Sequence, residues 1–234
     1  MASEPFESLL EEQIAYYQAR APEYDATSLE EQASLGSKED RAWLAERDAA
    51  IRALGEFAPR GRVLELAAGT GQWTRHLVRW ADSVTAVDAS PEALQINRDR
   101  VGDARVAYVE TDIFTWEADA GYDVVFFSFW LSHVPEGLFD PFWRRLGSFL
   151  KPEGRVFFID ERIPGGWRRA LFPTEEVESG TALRRLGDGR EFRIVKVFYE
   201  PDDLNRRLRG LGWDVEVNAT GRWLYYGRGR RVAA

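Results

Sequence analysis

Several residue types are absent or scarce in this sequence. Its 234 residues include no cysteine, two histidines and one methionine. Without cysteine the chain forms no disulfide, has no thiolate nucleophile and cannot build a zinc–thiolate site. No apolar run approaches the roughly 18 residues of a membrane-spanning helix, so no such span is expected.

The charge balance is acidic, with 31 basic against 39 acidic residues and a formal net charge of -8. Proteins that follow a phosphate backbone are usually basic, so we do not expect nucleic acid as a partner. The first 13 residues carry glutamates but neither a basic nor an apolar block, unlike a signal or transit peptide. We therefore expect a cytoplasmic protein, and the sequence leaves a homodimer open.

Short apolar runs alternate with helical patterns through most of the chain. The runs predicted to be strands are residues 63–66, 83–87, 105–109, 122–127 and 155–159. They lack the alternation of a half-exposed strand, which predicts a parallel sheet covered by helices on both faces. Residues 213–219 and 222–227, on either side of Thr220-Gly221, are predicted to close the sheet with an antiparallel end.

Two helical patterns precede the first strand. Residues 6–20 and 38–57 both carry apolar side chains at helical spacing. The segment between them, residues 26–37, is polar without a clear period and is predicted to be mobile. Residues 161–190 are rich in glycine, arginine and proline and are expected to pass over the sheet edge, with one more strand at 191–199.

A turn of small residues, which we call the glycine turn (residues 67–73), follows the first strand. It contains Gly69 and Gly71, and a helical pattern through Trp73, Leu77 and Ala81 comes after them. Such a turn lets a ligand approach the backbone and directs N–H groups of the helix start toward it. This predicts a ligand site, with a turn that only packs as the alternative.

Polar residues end two further strands at the edge where ligands of open parallel sheets collect. Asp88 stands 17 residues after Gly71, where a carboxylate can accept both hydroxyls of a ribose. Asp112 and Ile113 follow the third strand and could hold an adenine through its exocyclic amine and an apolar wall. For each aspartate the alternative is an ordinary cap or turn residue.

In this order the motifs resemble a class I S-adenosylmethionine (SAM)-dependent methyltransferase of the small-molecule type. The motifs that carry the resemblance are Leu64–Gly71, Val87-Asp88, Thr111-Asp112-Ile113, Tyr122-Asp123-Val124-Val125 and Leu150–Arg155. Ala67 stands where the family has its first motif glycine, a departure that should tighten the turn slightly.

The resemblance implies an α/β fold. It is a Rossmann-like three-layer sandwich whose seven-stranded, mostly parallel sheet has an antiparallel C-terminal strand and an N-terminal helical lid. It also implies one domain over residues 1–234, with a helical cap at 1–57, a cofactor-binding core at 60–160 and a substrate-side excursion plus C-terminal strands at 161–234. SAM is the implied cofactor. The implied reaction is methyl transfer to a small-molecule acceptor, at nitrogen or oxygen, by in-line displacement without a metal.

The residues that the resemblance places at the site come from the lid, the glycine turn and the strand ends. Those expected to hold the cofactor are Tyr16, Arg20, Tyr24, Glu65, Ala67, Gly69, Gly71, Trp73, Asp88, Ala89, Asp112, Ile113 and Ser128. His133 is the candidate base or acceptor-orienting residue, with a role in shaping its loop as the alternative. Trp130, Trp167 and Trp223 are candidates for the acceptor pocket, with core packing as the alternative.

Two other functions stay open at this point. One is an NAD(P)-dependent oxidoreductase, although Gly69–Thr74 places threonine where the dinucleotide fingerprint has a third glycine or alanine. The other is a non-catalytic module that binds a nucleoside.

Overall fold

The computed structural model describes residues 4–25, 38–118, 121–162, 174–176 and 180–232. The helices are α1 (Glu4–Tyr24), α2 (Lys38–Phe57), α3 (Thr74–Leu77), α4 (Pro91–Val101), α5 (Phe139–Phe149) and α6 (Pro201–Gly210). The strands are β1 (Arg62–Leu66), β2 (Ser83–Asp88), β3 (Val106–Glu110), β4 (Tyr122–Ser128), β5 (Leu150–Glu161), β6 (Thr174–Glu176), β7 (Thr181–Arg185), β8 (Glu191–Val195), β9 (Trp213–Ala219) and β10 (Leu224–Arg231).

Seven of the described strands form one sheet in the order β3-β2-β1-β4-β5-β10-β9. β1 pairs in parallel with β2 and β4, β3 lies parallel to β2, and β5 lies parallel to β4. β10 runs antiparallel to both β5 and β9. The predicted mostly parallel sheet with an antiparallel C-terminal strand is therefore confirmed.

The apolar strands are buried on both faces of this sheet. Phe127 and Phe158 belong to the cluster beside α5 and α6, whereas Phe126 and Phe157 belong to the cluster beside α2. Neighbouring side chains of a strand point to opposite faces, so each face needs its own apolar set. This explains why the sequence shows continuous apolar runs. No helix in the described ranges has the length and apolar character that a membrane crossing requires.

A second, small sheet in the order β6-β7-β8 lies beside α1. Tyr16 of α1 is 3% exposed and packs in a separate apolar cluster. The buried partners in that cluster are Ala182, Leu186 and Ile194. The Gln13 side chain accepts from the Val195 N–H at 3.0 Å and donates to the His133 carbonyl at 3.2 Å. These contacts hold α1 against both β8 and the loop after β4.

The helix predicted after the glycine turn is shorter than its apolar pattern suggests. It ends at Leu77, and the chain continues in tighter turns, with the Trp80 N–H donating to the Leu77 carbonyl at 3.0 Å. The Asp82 N–H then donates to the Gly61 carbonyl at 2.9 Å. The helix stops early because the chain must return to the start of β1 before β2 can pair beside it.

The strand predicted at 191–199 ends at Val195 and pairs with β7 in the small sheet. Beyond it the Val197 N–H donates to the Ser132 carbonyl at 2.8 Å, so the chain leaves the ladder for the loop after β4. The segment 26–37, predicted to be mobile, lies outside the described residues.

Candidate functional site

The strand order of the sheet reverses beside β1, because the chain adds β2 and β3 on one side of β1 and then returns to add β4 on the other. β2 pairs with β1 on one side, and β4 pairs with β1 on the other. In open α/β sheets such a reversal of strand order opens a crevice outside the carboxyl ends of the strands. The glycine turn and residues 88–90, 111–113 and 128–134 lie side by side at this edge because they follow β1, β2, β3 and β4.

Positive φ angles concentrate in the glycine turn. They are 52° at Ala67, 53° at Gly69 and 85° at Gly71. A Cβ on Gly71 would lie 2.6 Å from Asn97 Oδ1, so only glycine fits between the turn and α4. The left-handed conformation costs a residue such as Ala67 roughly 1 to 2 kcal/mol. Strain of this kind is concentrated at binding sites, where surrounding contacts maintain it.

Asp88 holds the glycine turn from the end of β2. Its Oδ2 accepts from the Gly69 N–H at 2.8 Å, and its Oδ1 accepts from the Ser90 N–H at 2.9 Å. Burial raises the pKa of the Asp88 carboxyl, and these backbone donors oppose the rise. Each carboxylate oxygen can accept a further hydrogen bond, so Asp88 has capacity for the two hydroxyls of a ribose.

A chain of buried side chains supports the glycine turn from below. Asn97 Nδ2 donates to the Thr74 hydroxyl at 2.9 Å, so that hydroxyl uses its own proton to donate to Glu65 Oε2 at 2.6 Å. Asn97 also donates to the Gly69 carbonyl at 3.3 Å. Burial raises the pKa of Glu65 to about 8 despite the hydrogen bond from Thr74. The Glu65 carboxyl is therefore protonated at neutral pH and forms a neutral support.

An apolar wall follows the end of β3. Asp112 Oδ1 accepts from the Phe114 N–H at 2.9 Å, and Ile113 is buried in the core beside α5 and α6. The rings of Phe114 and Trp130 pack with centroids 5.6 Å apart. Trp130 Nε1 is buried and has no hydrogen-bond partner among the described residues. The structure thus brings the predicted adenine position and one of the predicted acceptor tryptophans next to each other.

Helix α1 crosses this edge of the sheet. Gln18 Nε2 donates to the Ala89 carbonyl at 3.0 Å, directly after Asp88. The Arg20 guanidinium lies over the Tyr24 ring, 4.6 Å from its centroid. Tyr16 packs in the apolar cluster of the small sheet. The next residue, Tyr17, contacts the loop after β4 through His133.

The Tyr17 hydroxyl and the buried His133 ring form a hydrogen-bonded pair. His133 Nδ1 lies 2.8 Å from the Val195 carbonyl, which only accepts, so Nδ1 carries the proton. Nε2 is then the acceptor for the Tyr17 hydroxyl, at 2.9 Å. Burial, followed by the charge of Lys196, lowers the pKa of His133 well below its usual 6.5. Burial also raises the pKa of Tyr17, so both rings are neutral at pH 7.

A charged pair lies next to His133. Lys196 Nζ lies 3.1 Å from Glu161 Oε2 and donates to the Ser132 hydroxyl at 3.0 Å. Asp160 accepts from the backbone N–H groups of Ser132 and Glu161 at 2.9 and 2.7 Å. Burial raises the pKa of the Asp160 carboxyl. This cluster ties the end of β5 to the loop that carries His133.

The other predicted site residues occupy several environments. Trp73 is buried and packs against Phe126 and Phe129. Trp223 packs with Trp43, and the Trp223 backbone N–H donates to the buried Glu46 carboxylate at 3.0 Å, which places Trp223 in the core. Ser128 ends β4 beside Ile159. Trp167 lies outside the described residues.

Sequence reasoning missed several residues that organise the site. They are Gln18, Asp25, Thr74, Asn97 and Arg100. The sequence did offer a signal for Asn97. It is a polar residue three positions after Leu94, which places it on the buried face of α4, where a polar side chain needs a hydrogen-bond partner. The others depend on how α1 crosses the sheet, which helical periodicity does not indicate.

Several known proteins are similar to this chain in sequence or fold. A methyltransferase domain family matches residues 63–154. The demethylmenaquinone methyltransferase of Tropheryma whipplei (strain Twist) is 33% identical over 210 residues, which cover 82% of this chain and 80% of that protein. The ubiquinone biosynthesis O-methyltransferase of Xanthomonas euvesicatoria pv. vesicatoria (strain 85-10) is 30% identical over 164 residues, which cover 66% of this chain and 63% of that protein.

Solved structures of DhpI have the same fold. Its complex with S-adenosylhomocysteine (SAH) superposes with a TM-score of 0.80 at 39% identity, covering 97% of this chain and 98% of DhpI. Its complex with SAM and HEP gives a TM-score of 0.79 at the same 39% identity, covering 96% and 98%.

The chain belongs to the class I SAM-dependent methyltransferases. The protein is an enzyme that uses SAM as its methyl donor, and an NAD(P)-dependent oxidoreductase is not favoured. The site fits this donor, because the spare acceptor capacity of Asp88 matches a ribose and the glycine turn admits a ligand close to the backbone.

Proposed function

We propose that the protein transfers the methyl group of SAM to an oxygen or nitrogen atom of a small-molecule acceptor. The observation that carries this proposal is the hydrogen bond from Tyr17 of α1 to His133 in the loop after β4. This bond provides a route for the proton that such an acceptor loses. The relatives support a small acceptor: one is a demethylmenaquinone methyltransferase, and another is a ubiquinone biosynthesis O-methyltransferase.

Positioning is the main task of the protein in this reaction. Bound SAM supplies a methyl group on a sulfonium, which is already activated, so the transfer needs in-line geometry and no metal. Holding two reactants in a productive orientation contributes roughly 7 to 11 kcal/mol to catalysis. We assign this task to the glycine turn and Asp88 on the cofactor side, and to α1 with the loop after β4 on the acceptor side.

Tyr17 and His133 would take up the acceptor's proton. Tyr17 donates to His133 Nε2, so its oxygen retains a lone pair for a proton from the acceptor. As that proton reaches Tyr17, the Tyr17 proton moves to Nε2, and the imidazolium keeps its Nδ1–H on the Val195 carbonyl. Methyl transfer removes one positive charge from sulfur as the imidazolium forms. The net charge of the site is thus constant, which offsets the effect of burial on His133.

A turnover assay tests this proposal. The protein is incubated with SAM and a library of phenols, quinols, aliphatic alcohols and amines, and SAH and methylated products are measured by mass spectrometry. We expect SAH together with a product methylated at oxygen or nitrogen. Methylation at carbon alone, or no turnover across the library by protein that binds SAM, would contradict the proposal.

A further inference from the structure

One carboxylate ties the end of α1 to the glycine turn. Asp25 directly follows α1, and its Oδ1 accepts from the Thr70 hydroxyl at 2.9 Å and from Gln72 Nε2 at 3.0 Å. Its Oδ2 pairs with Arg100 of α4. Asp25 therefore accepts hydrogen bonds from both the glycine turn and α4, although it belongs to neither element.

Arg100 closes this set of contacts. Its Nη1 donates to the Thr70 carbonyl at 2.7 Å and to the Thr70 hydroxyl at 3.1 Å. Burial raises the pKa of Asp25, but the hydrogen bonds from Arg100, Gln72 and Thr70 outweigh it, and the pKa lies below its usual value. The carboxylate is therefore charged at neutral pH, and charge-assisted hydrogen bonds are roughly twice as strong as neutral ones.

The last turn of α1 depends on these contacts for its position. Pro22 lies inside α1 and has no N–H to donate to the carbonyl of Gln18. The hydrogen-bond ladder of the helix is therefore interrupted just before its end. Contacts with other elements must hold the segment that leads to Asp25.

Gln18 of α1 and Asp25 just after it each contact a segment next to Asp88. Gln18 donates to the Ala89 carbonyl, next to Asp88 in the chain, and Asp25 binds the turn whose Gly69 N–H donates to Asp88. We propose that Asp25 is a positioning residue that fastens α1 to the glycine turn and thereby slows the release of SAM and SAH. This inference rests on the SAM-dependent class of the enzyme and is independent of the acceptor.

The test measures release of SAH in the absence of any acceptor. Stopped-flow fluorescence follows dissociation of SAH from the wild type, Asp25→Asn, Asp25→Ala and Arg100→Met. Loss of charge-assisted contacts should raise the dissociation rate about tenfold in Asp25→Ala and Arg100→Met, and less in Asp25→Asn. Asp25 and Arg100 bind each other as well as the glycine turn, so the effects of Asp25→Ala and Arg100→Met on the dissociation rate should combine in the double variant to less than their product. Asp99→Asn, an exposed change on α4, is the matched control and should match the wild type.

A second readout separates positioning from general destabilisation. Hydrogen exchange of the α1 amides in ligand-free protein should accelerate in Asp25→Ala, while α2 and the central strands keep wild-type protection. SAH dissociation rates of Asp25→Ala and Arg100→Met equal to that of Asp99→Asn would overturn the proposal. Faster exchange throughout the protein would overturn it as well, since it would show that Asp25 supports the whole fold.

Discussion

The Thr74 hydroxyl lies 2.6 Å from the Glu65 carboxyl, and this contact joins the strand before the glycine turn to the helix after it. Glu65 is 1% exposed, and burial raises its pKa to about 8. A carboxylate at this depth would need a cationic partner, whereas a carboxylic acid needs only hydrogen bonds. The turn that approaches the ligand is thus supported by a neutral network.

Glu65→Gln should remove a pH dependence of stability. The pKa of Glu65 in the folded protein, about 8, exceeds its ordinary value of 4.5. The stability linked to this proton is therefore complete below pH 4.5 and is lost as the pH rises to about 8, by roughly 1.4 kcal/mol per pH unit. Urea unfolding at pH 5 and pH 8 should show a smaller loss in the variant than in the wild type. Glu110→Gln, at the exposed end of β3, is the control, and equal losses in Glu65→Gln and the wild type would refute the assignment.

Tyr17→Phe and His133→Asn should impair turnover and leave SAM binding intact. Loss of a proton-transfer group lowers kcat by roughly 100- to 10,000-fold. Calorimetry should give the same SAM affinity for both variants and the wild type, since neither residue is assigned to the donor. His76→Gln changes the other histidine and should retain activity. Wild-type kcat in either variant would show that the proton leaves by another route.

The pH profile of the wild type should reflect a neutral His133. Its pKa lies well below 6.5, so the ring is unprotonated at neutral pH and gains a proton only in acid. We expect kcat/KM to stay level from pH 7 upward and to fall only as the pH drops below the usual range of histidine. A profile that rises between pH 7 and 9 would indicate a different base.

Ala67→Gly should stabilise the protein. The φ of Ala67 is 52°, a region that glycine adopts without a steric penalty, so relief of about 1 kcal/mol is expected. Ala68→Gly is the matched control: its φ is not positive, and glycine there should destabilise by roughly 0.5 to 1 kcal/mol. Chemical unfolding of the two variants tests the difference. Equal destabilisation by both would contradict the assigned strain.

The sheet and the glycine turn were predictable from local patterns. The uninterrupted apolar runs of β1, β4 and β5 require burial on two faces, and that requirement implies parallel strands between layers of helices. Asp88 was predictable for a similar reason, because the length of the β1–β2 connection sets where the second strand ends.

The contacts of α1 were not predictable in this way. Tyr16 was expected at the cofactor site, but it packs in the cluster of the small sheet, whereas Tyr17 contacts His133, 116 positions away. Adjacent helix positions differ by about 100° in direction, so the choice between them depends on what covers each face. The β6-β7-β8 sheet was not predicted. Without it, the sequence did not indicate which of the two tyrosines would be buried in an apolar cluster.

The central claim, that Asp88 and the glycine turn bind SAM, is tested by calorimetric titration of SAM into the wild type, Asp88→Ala and Asp82→Ala. Asp88 ends β2 at the edge where the ligand is expected, and Asp82 directly precedes β2 at the opposite edge of the sheet. Comparing the two variants therefore shows whether the effect is specific to the ligand edge. SAM should bind the wild type and Asp82→Ala alike, Asp88→Ala should weaken binding about tenfold or more, and NAD should not bind. Equal SAM affinity in Asp88→Ala and the wild type, or binding of NAD in place of SAM, would contradict the claim.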